Sequence, residues 1–166
     1  PNIVHVIDKG MTSHGRPVFV MEFIEGVNLA DAIREGRLSF NEKVDIAVQL
    51  CEGLAYAHKL EVVHRDIKPA NNSVDREGFA KVLAFGIASF FENKLSSADQ
   101  IVMGTDAYMA PEAQQGLSAT TKLSDVYSVG VLLYELFSGE LPQASAPPLE
   151  QTDPNITQSL ADLIRA

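Results

Sequence analysis

The sequence predicts an α+β fold, because a short strand-rich part is followed by a longer helix-rich part. Two β-rich runs, residues 3–7 and 18–23, are separated by the polar, glycine-containing stretch 9–16, which predicts a β-hairpin with a long loop. Two long segments with helical apolar spacing follow, one ending near Lys59 and the other at Gly139. With 166 residues, the chain is long enough for one domain with its own core.

A short helix is predicted at residues 28–34, and a long helix follows it. Ser39 and Glu42 have the spacing of a capping box, in which the serine caps the first turn and the glutamate reaches back to it. Cys51 falls on the apolar stripe of this helix and is predicted to be a small core residue. The stripe consists of Val44, Ala47, Val48, Cys51, Leu54 and Ala55.

The middle of the chain predicts a second hairpin and a long loop. Residues 73–74 and 80–83 flank the polar turn 75–78, which is a hairpin signal. Residues 85–108 have no clean period and are predicted to form a loop. A loop of this length in a compact domain is usually functional.

The last third of the chain predicts two more helices. Ser124 is predicted to cap the first of them, and Gly139 and Pro142 stop it. Residues 141–155 are predicted to be a proline-rich loop, after which Thr157 caps a final helix. The apolar positions of the first helix are Val126, Val129, Leu133, Leu136 and Phe137.

The composition argues against several classes of function. A formal net charge of −9 leaves no basic stripe to meet phosphates, so we expect no nucleic-acid partner. Cys51 is the single cysteine, so no disulfide forms within the chain, which suits a reducing, cytoplasmic location. The longest apolar run, 126–137, is too short and too polar to span a bilayer. The sequence stops inside a predicted helix, which favours a cut chain, and the parent protein can be membrane-anchored outside this segment.

Residues 64–71 read His-Arg-Asp-Ile-Lys-Pro-Ala-Asn and are the sharpest chemical signal in the sequence. They match the protein-kinase catalytic loop, in which His-Arg-Asp is followed five residues later by Asn. Phosphoryl transfer depends on positioning a hydroxyl and neutralising charge. Asp66 can orient and accept the proton of a Ser or Thr hydroxyl, and Lys68 places a cation beside the γ-phosphate. Asn71 offers an amide oxygen, a hard ligand suited to Mg²⁺.

Three further segments carry the same resemblance, in the same order as in protein kinases. Residues 104–112 resemble the end of the activation segment, 124–130 the central helix whose Asp braces the catalytic loop, and 21–26 the hinge that meets adenine. The chain therefore resembles the eukaryotic-like Ser/Thr kinases of bacteria over nearly its whole length. This resemblance implies a protein-kinase-like fold, with residues 1–26 as the last two strands and hinge of the N-lobe. Residues 27–166 would be the helical C-lobe, truncated before its last helices.

The resemblance also implies ATP and Mg²⁺ as cofactors and a protein substrate that bears a Ser or Thr hydroxyl. Lys68 and Thr105 are the pair typical of Ser/Thr specificity, with Thr105 bracing Asp66 and Lys68. Asn71 is the metal-ligand position. The nucleotide-binding positions would be Met21, Glu22, Ile24, Ser73 and Ala84. A kinase-like phosphotransferase for small molecules is the weaker alternative, because such enzymes lack the Ala-Pro-Glu of the activation segment.

The sequence departs from the family mainly on the metal and nucleotide side. Ala84 stands where the family has the Asp that is the principal Mg²⁺ ligand, so metal binding should be weakened. Asn72 and Ser73 replace apolar residues, one of which forms the floor under adenine, so nucleotide affinity should fall. The 166 residues contain neither the family's Gly-rich phosphate loop nor its strand Lys, and we expect Glu112 to lack the Arg with which the family pairs it.

Two hypotheses remain open on these grounds. The first is a Ser/Thr protein kinase domain whose phosphoryl transfer is impaired as the sequence is written. The second is a pseudokinase, a binding or scaffolding module that transfers no phosphate. Exposed edges of the N-terminal hairpin also predict association between kinase chains.

The histidines are not candidate metal ligands. His5, His14 and His58 lack metal-ligand spacing and are predicted to be surface or strand residues. The resemblance gives His64 a packing role and not that of a general base.

Overall fold

The computed structural model describes residues 1–15, 17–83, 106–116, 119–143 and 147–165. The architecture is α+β, as the sequence predicts. The strands are β1 (Val6–Met11), β2 (Pro17–Met21), β3 (Gly26–Asn28), β4 (Asn72–Asp75) and β5 (Ala80–Val82). The helices are α1 (Leu29–Arg34), α2 (Phe40–Lys59), α3 (Lys122–Ser138) and α4 (Gln158–Arg165). Single 3-10 turns occur at Pro69–Asn71, Asp106–Tyr108, Ala113–Gln115 and Leu149–Gln151.

The strands form two small antiparallel sheets, β1-β2 and β3-β4-β5. The start of the chain joins the second sheet. The Val4 N–H donates to the carbonyl of Val82 (3.0 Å), and the Val82 N–H donates to the carbonyl of Asn2 (2.8 Å). The prediction of a strand at 3–7 is therefore wrong at its start, because residues 2–4 pair with β5.

The β1–β2 hairpin is largely open to solvent. All six residues of β1 are exposed, and so are Val18 and Val20 of β2. The predicted loop at 9–16 is too long, because β1 continues to Met11 and pairs with β2 along its whole length. A strand pair with apolar side chains in water on both faces contributes little burial to the fold.

In the second sheet, the backbones of β3 and β4 approach each other very closely at Gly26. Gly26 pairs with Asp75 across β3 and β4. A Cβ atom at Gly26 would lie 2.0 Å from the carbonyl oxygen of Val74. Only glycine allows the two strands to come this close. The predicted hairpin of β4 and β5 is confirmed, since the two strands pair in antiparallel register.

Helix α2 begins with the predicted capping box. The backbone N–H of Glu42 donates to Ser39 Oγ (3.4 Å), and the backbone N–H of Ser39 donates to Glu42 Oε2 (2.8 Å). The predicted stripe is partly wrong, because Cys51 and Val48 are exposed. The buried face passes instead through Ile46, Leu50, Gly53, Leu54 and Ala57. Cys51 lies one position beyond that face, so its burial prediction is incorrect.

The N-cap of helix α3 lies three residues before the predicted one. Thr121 is the N-cap and accepts a hydrogen bond from the Leu123 N–H (3.2 Å). Ser124 is the third helical residue, and its Oγ accepts a hydrogen bond from the Thr121 N–H (3.0 Å). The prediction that Ser124 caps the helix is thus wrong. The predicted stop is confirmed, because Gly139 adopts a left-handed conformation (φ 84°) at the C-cap.

The buried face of α3 includes polar residues. Ser124, Asp125 and Ser128 are buried, whereas Val126 is 54% exposed. Apolar spacing therefore placed Val126 on the wrong side of the helix. Buried polar groups require hydrogen-bond partners, and those partners belong to the candidate site described below.

Two hydrophobic clusters form the core. The larger one joins α1, α2, α3 and the second sheet through Leu29, Ile46, Leu50, Leu54, Ile67, Val74, Ala80, Val82, Leu132 and Leu136. The smaller one packs α4 on α3 through Phe137, Leu149, Ile156, Ala161 and Ile164. The region predicted as loop at 141–155 is therefore partly structured, because Leu149 in its 3-10 turn is fully buried. Thr157 caps α4 as predicted, with its Oγ1 accepting from the Leu160 N–H (3.3 Å).

The long loop predicted at 85–108 lies outside the described residues except for its last turn, Asp106–Tyr108. Among the helices that the structure describes, none has the length and apolar character needed to cross a bilayer.

Candidate active site

The segment 64–71 connects α2 to β4 and brings three predicted catalytic residues together. Oδ2 of Asp66 accepts a hydrogen bond from Asn71 Nδ2 (2.7 Å) and lies 3.0 Å from Lys68 Nζ. Oδ1 of Asp66 is buried and has no hydrogen-bond partner among the described residues. One carboxylate oxygen is thus held by its neighbours, and the other keeps an unused acceptor position within the described part of the chain.

The amide groups of three asparagine side chains hold the backbone of this loop. Asn71 belongs to the loop itself, Asn72 is the first residue of β4, and Asn28 is the N-cap of α1. They donate to the carbonyl oxygens of alternate loop residues. The pairs, each separated by 2.8 Å, are Asn71 to Asp66, Asn72 to Lys68 and Asn28 to Ala70.

Asp125 of α3 anchors the start of the loop. Its carboxylate is 1% exposed and accepts hydrogen bonds from the backbone N–H groups of His64 and Arg65, each at 2.8 Å. Arg65 has a φ of 72°, which few residues other than glycine adopt. The two hydrogen bonds to Asp125 compensate for that strained backbone.

The imidazole of His64 is fully buried and satisfied on both sides. Nε2 donates to the carbonyl of Leu83 (2.7 Å), so Nδ1 is the acceptor for the backbone N–H of Asp66 (3.2 Å). Burial lowers the pKa of His64, because the charged form is poorly solvated there. The ring therefore connects Asp66 to the end of β5 in its neutral form.

The end of the predicted activation segment is fastened to the middle of α3. The Tyr108 hydroxyl donates to Glu135 Oε2 (2.5 Å), and Ser128 Oγ donates to the Tyr108 carbonyl (2.7 Å). Burial and the neighbouring Glu135 carboxylate raise the pKa of Tyr108. The residues from Asp106 to Tyr108 are thus tied to the same helix that holds the catalytic loop.

Glu112 also contacts α3, through a partner other than the Arg that the resemblance implies. Its Oε1 accepts a hydrogen bond from Ser124 Oγ (2.6 Å). This hydrogen bond lowers the pKa of Glu112. Ser124 and Asp125 are neighbours on α3, so one turn of this helix holds both the predicted activation segment and the catalytic loop.

The predicted hinge lies at the end of β2 and is linked to β5. Lys81 Nζ lies 3.2 Å from Glu22 Oε1, which also accepts a hydrogen bond from the His5 N–H (2.8 Å). These two contacts, the His5 one foremost, lower the pKa of Glu22. Ile24 makes no backbone hydrogen bond within the described part of the chain. Met21 is the last residue of β2.

Ser73 lies on the side of β4 opposite to Asn72 and Val74, both of which face the core. Of the two polar replacements in the sequence, Ser73 is therefore the one that remains near the surface, and Asn72 is a core residue. Ala84 and Thr105 lie outside the described residues. Among the residues that the structure describes, no group of three or more His, Cys, Asp or Glu side chains could hold a metal ion.

Sequence reasoning missed three contributors to the site. His58 was predicted to be a surface or strand residue, yet its Nε2 lies 2.7 Å from Asp125 Oδ2 and its side chain is largely buried. Asn28 and Asn72 were not recognised as donors to the loop. The signal that could have found His58 is its position in the last turn of α2, six residues before His64.

Comparison with known proteins gives a consistent result. Residues 1–164 match the family described as protein kinase domain. The chain is 36% identical to a probable serine/threonine-protein kinase of Clostridium perfringens over 179 aligned positions, which cover 99% of this chain and 26% of that protein. It is 35% identical to serine/threonine-protein kinase PrkC of Bacillus subtilis, covering 99% of this chain and 27% of that protein. With PknB of Mycobacterium tuberculosis the identity is 37%, over 90% of this chain and 25% of the relative. The chain thus spans about a quarter of the length of these relatives.

Proposed function

Because this chain belongs to the protein kinase family, we propose that it is part of a serine/threonine protein kinase whose phosphoryl transfer is weak in the sequence as written. The reaction would move the γ-phosphoryl group of ATP to a Ser or Thr hydroxyl of a protein. Residues 1–26 would be N-lobe strands with the hinge, and residues 27–166 would belong to the helical C-lobe.

The observation that carries this proposal is the state of the Asp66 carboxylate. One oxygen is held by Asn71 (2.7 Å) and Lys68 (3.0 Å), and the other is buried without a partner in the described part of the chain. Once the buried Oδ1 is uncovered, a substrate hydroxyl that donates to it would be oriented for attack and could transfer its proton there. Lys68 would place its positive charge beside the phosphoryl group, and Thr105 would brace both residues.

The side chains at the implied metal-binding positions fit Mg²⁺ poorly. The side-chain amide nitrogen of Asn71 donates a hydrogen bond to Asp66, so its amide oxygen remains as a hard ligand for a metal ion. Ala84 has no side-chain oxygen at the position where the resemblance implies the principal ligand. We therefore assign no step of the reaction to a metal held by this chain. Loss of such an electrostatic stabiliser would reduce the rate by about 10²–10³-fold.

The nucleotide side is also weakened. Met21, Glu22 and Ile24 would supply the backbone contacts to adenine, and the unpaired backbone of Ile24 supports this role. Ser73 would replace an apolar platform below the base, which removes contact surface and adds a hydroxyl that needs a partner. ATP affinity should therefore be low.

A pseudokinase is the second candidate function. Ala84 and Ser73 favour it, because both replacements fall on groups that bind ATP and metal, while the loop 64–71 is complete. In this case the fold would serve as a binding or scaffolding module and no phosphoryl group would be transferred.

One set of proteins decides between the two functions. Binding of Mg²⁺-ATP and transfer of ³²P from γ-labelled ATP to Ser/Thr peptides would be measured for the chain as written and for Asp66→Asn, Ala84→Asp and the exposed control Asp45→Asn. We expect weak transfer that Asp66→Asn lowers by about 10²–10⁴-fold and Asp45→Asn leaves unchanged. We also expect Ala84→Asp to increase transfer. Robust transfer that depends on Asp66 would eliminate the pseudokinase, whereas no transfer in any variant would eliminate the kinase proposal for this chain.

The partner and location proposals follow from the same family. The substrate would be a protein with an accessible Ser or Thr, and the segment would act in the cytoplasm, with any membrane anchor of the parent protein lying elsewhere. The exposed Val6, Ile7, Val18 and Val20 of the hairpin support association between kinase chains. Sedimentation of the chain beside a Val20→Lys variant tests this, since a monomer at all concentrations would contradict it.

A further inference from the structure

We propose that Asn72 is a positioning residue that fixes the catalytic loop through the carbonyl of Lys68, and that Asn28 fixes the same loop through Ala70. The inference rests on the proposed function of the loop, because it explains how Asp66 and Lys68 are held. It adds two residues to the site that carry no catalytic chemistry of their own.

The contact made by Asn72 is well formed and shielded from water. The side chain is 2% exposed, and Nδ2 lies 2.8 Å from the Lys68 carbonyl oxygen. The same oxygen accepts the backbone N–H of Asn71 at 3.0 Å. A carbonyl with two donors is held in direction as well as distance. The Cα of Lys68 and therefore the base of its side chain are fixed by β4.

Asn72 does not fit an interpretation as a stabilising core residue. Its Oδ1 is buried and has no hydrogen-bond partner among the described residues. An unsatisfied buried acceptor is destabilising, and an apolar side chain of the same size would avoid that destabilisation. Val74, two residues along the same face of β4, shows that apolar side chains pack there. The benefit of the amide is therefore at Lys68.

Asn28, the last residue of β3, uses both ends of its amide. Oδ1 accepts the Ala30 N–H (3.0 Å) and caps α1, while Nδ2 donates to the Ala70 carbonyl (2.8 Å). The residue also pairs with Ser73 in the second sheet. One side chain thus links the start of α1 to the loop.

Asn72 and Asn28 add to the hydrogen bond that Asn71 donates to the Asp66 carbonyl. Carbonyl groups of residues 66, 68 and 70 are each held by a side-chain amide. These hydrogen bonds fix the backbone at Asp66 and Lys68, whose side-chain atoms Oδ2 and Nζ lie 3.0 Å apart. Preorganised groups of this kind lower the reorganisation needed during reaction.

The test compares Asn72→Leu, Asn28→Asp, Asn28→Ala and the exposed control Asn41→Leu in the full chain. Asn28→Asp keeps the oxygen that caps α1 and removes the donor to Ala70, so it separates capping from positioning. The measurements are the ¹³C carbonyl resonances of Lys68 and Ala70, hydrogen exchange of the Asn71 amide, the free energy of unfolding, and kcat and KM for a peptide substrate.

For Asn72→Leu we expect an upfield shift of the Lys68 carbonyl and about tenfold faster exchange at Asn71, as loss of one hydrogen bond implies. The free energy of unfolding should stay equal or rise, and kcat should fall about tenfold with KM unchanged. Asn28→Asp should shift the Ala70 carbonyl alone, and Asn28→Ala should also lower stability.

A uniform rise in exchange together with a lower free energy of unfolding would show that Asn72 is only structural and would overturn the inference. Unchanged carbonyl resonances would overturn it as well. If the unsubstituted chain shows no phosphoryl transfer, the proposed function fails. The carbonyl resonances and the exchange rates still decide whether Asn72 and Asn28 position the loop.

Discussion

Nε2 of His58 lies 2.7 Å from Oδ2 of Asp125, and this contact joins the end of α2 to the start of α3. The same carboxylate accepts the backbone N–H groups of His64 and Arg65. Asp125 therefore connects two helices and the catalytic loop at a single buried point. A group with this many buried partners is costly to remove.

Replacing Asp125 by alanine should destabilise the fold by about 3–5 kcal/mol, because two backbone donors and His58 lose their acceptor. Urea unfolding followed by circular dichroism measures this change. Asp45→Ala is the matched control, since Asp45 is exposed on α2. An effect of Asp125→Ala no larger than that of Asp45→Ala would contradict the role given to this carboxylate.

Replacing Gly26 by alanine should separate β3 from β4. The new Cβ would lie 2.0 Å from the Val74 carbonyl oxygen, a distance that the backbone must relieve by moving. Overpacking of this kind costs about 1–3 kcal/mol or more. Gly10→Ala is the control, because nothing lies within 4 Å of its Cβ position. Thermal unfolding of both variants tests the prediction, which equal midpoints would refute.

Replacing Tyr108 by phenylalanine should loosen the predicted activation segment from α3. The change removes the hydroxyl that donates to Glu135 but keeps the ring in place. Loss of a hydrogen bond to a charged group predicts a destabilisation of about 1–3 kcal/mol. Chemical denaturation gives the value, and Tyr56→Phe, at an exposed position of α2, provides the comparison. If the two variants had the same free energy of unfolding within error, the Tyr108–Glu135 hydrogen bond would not stabilise the fold.

Stability should fall as the pH decreases below about 6.5 because of His64. Burial lowers its pKa from 6.5, so the unfolded state takes up a proton at a higher pH than the folded state does. The stabilisation is complete above 6.5 and is lost as the pH falls through the folded-state pKa. Protonation of Nδ1 would also break its hydrogen bond from the Asp66 N–H.

The measurement is the free energy of unfolding at pH 7.5 and 5.5 for the unsubstituted chain and for the variants His64→Asn and His14→Gln. We expect a smaller pH dependence in His64→Asn than in the parent, and no such change in the exposed His14→Gln. Glu22, Glu42 and Glu112 have lowered pKa values and act below about pH 4.5, outside this window. An identical pH dependence in all three proteins would rule out His64 as its source.

Much of the fold was predictable from local patterns. The capping box of α2, the stop of α3 at Gly139 and the β4–β5 hairpin each depend on a few neighbouring residues. The wrong predictions depend on distant partners instead. The start of the chain pairs with β5 rather than extending β1. Ser124 and Asp125 are buried because they bind groups elsewhere in the chain.

The three side chains that meet at the candidate site were predictable from the sequence, but the residues that support them were not. The spacing of Asp66, Lys68 and Asn71 identified three side chains that the structure brings together. Periodicity could not assign the donor roles of Asn28 and Asn72, because an amide at a strand or helix terminus has many local uses. Sequence reasoning interpreted Asn72 as a loss of apolar contact, whereas its amide holds the loop.

The open hairpin of β1 and β2 has a consequence for how the molecule comes apart. Its six β1 residues are exposed, and the Lys81–Glu22 ion pair joins its base to the second sheet. Such a unit opens at low free energy without disturbing the clusters below it. Among the described residues, a protease should therefore cut readily near 12–15, and the cut molecule should still unfold as one cooperative unit because residues 2–4 remain paired with β5.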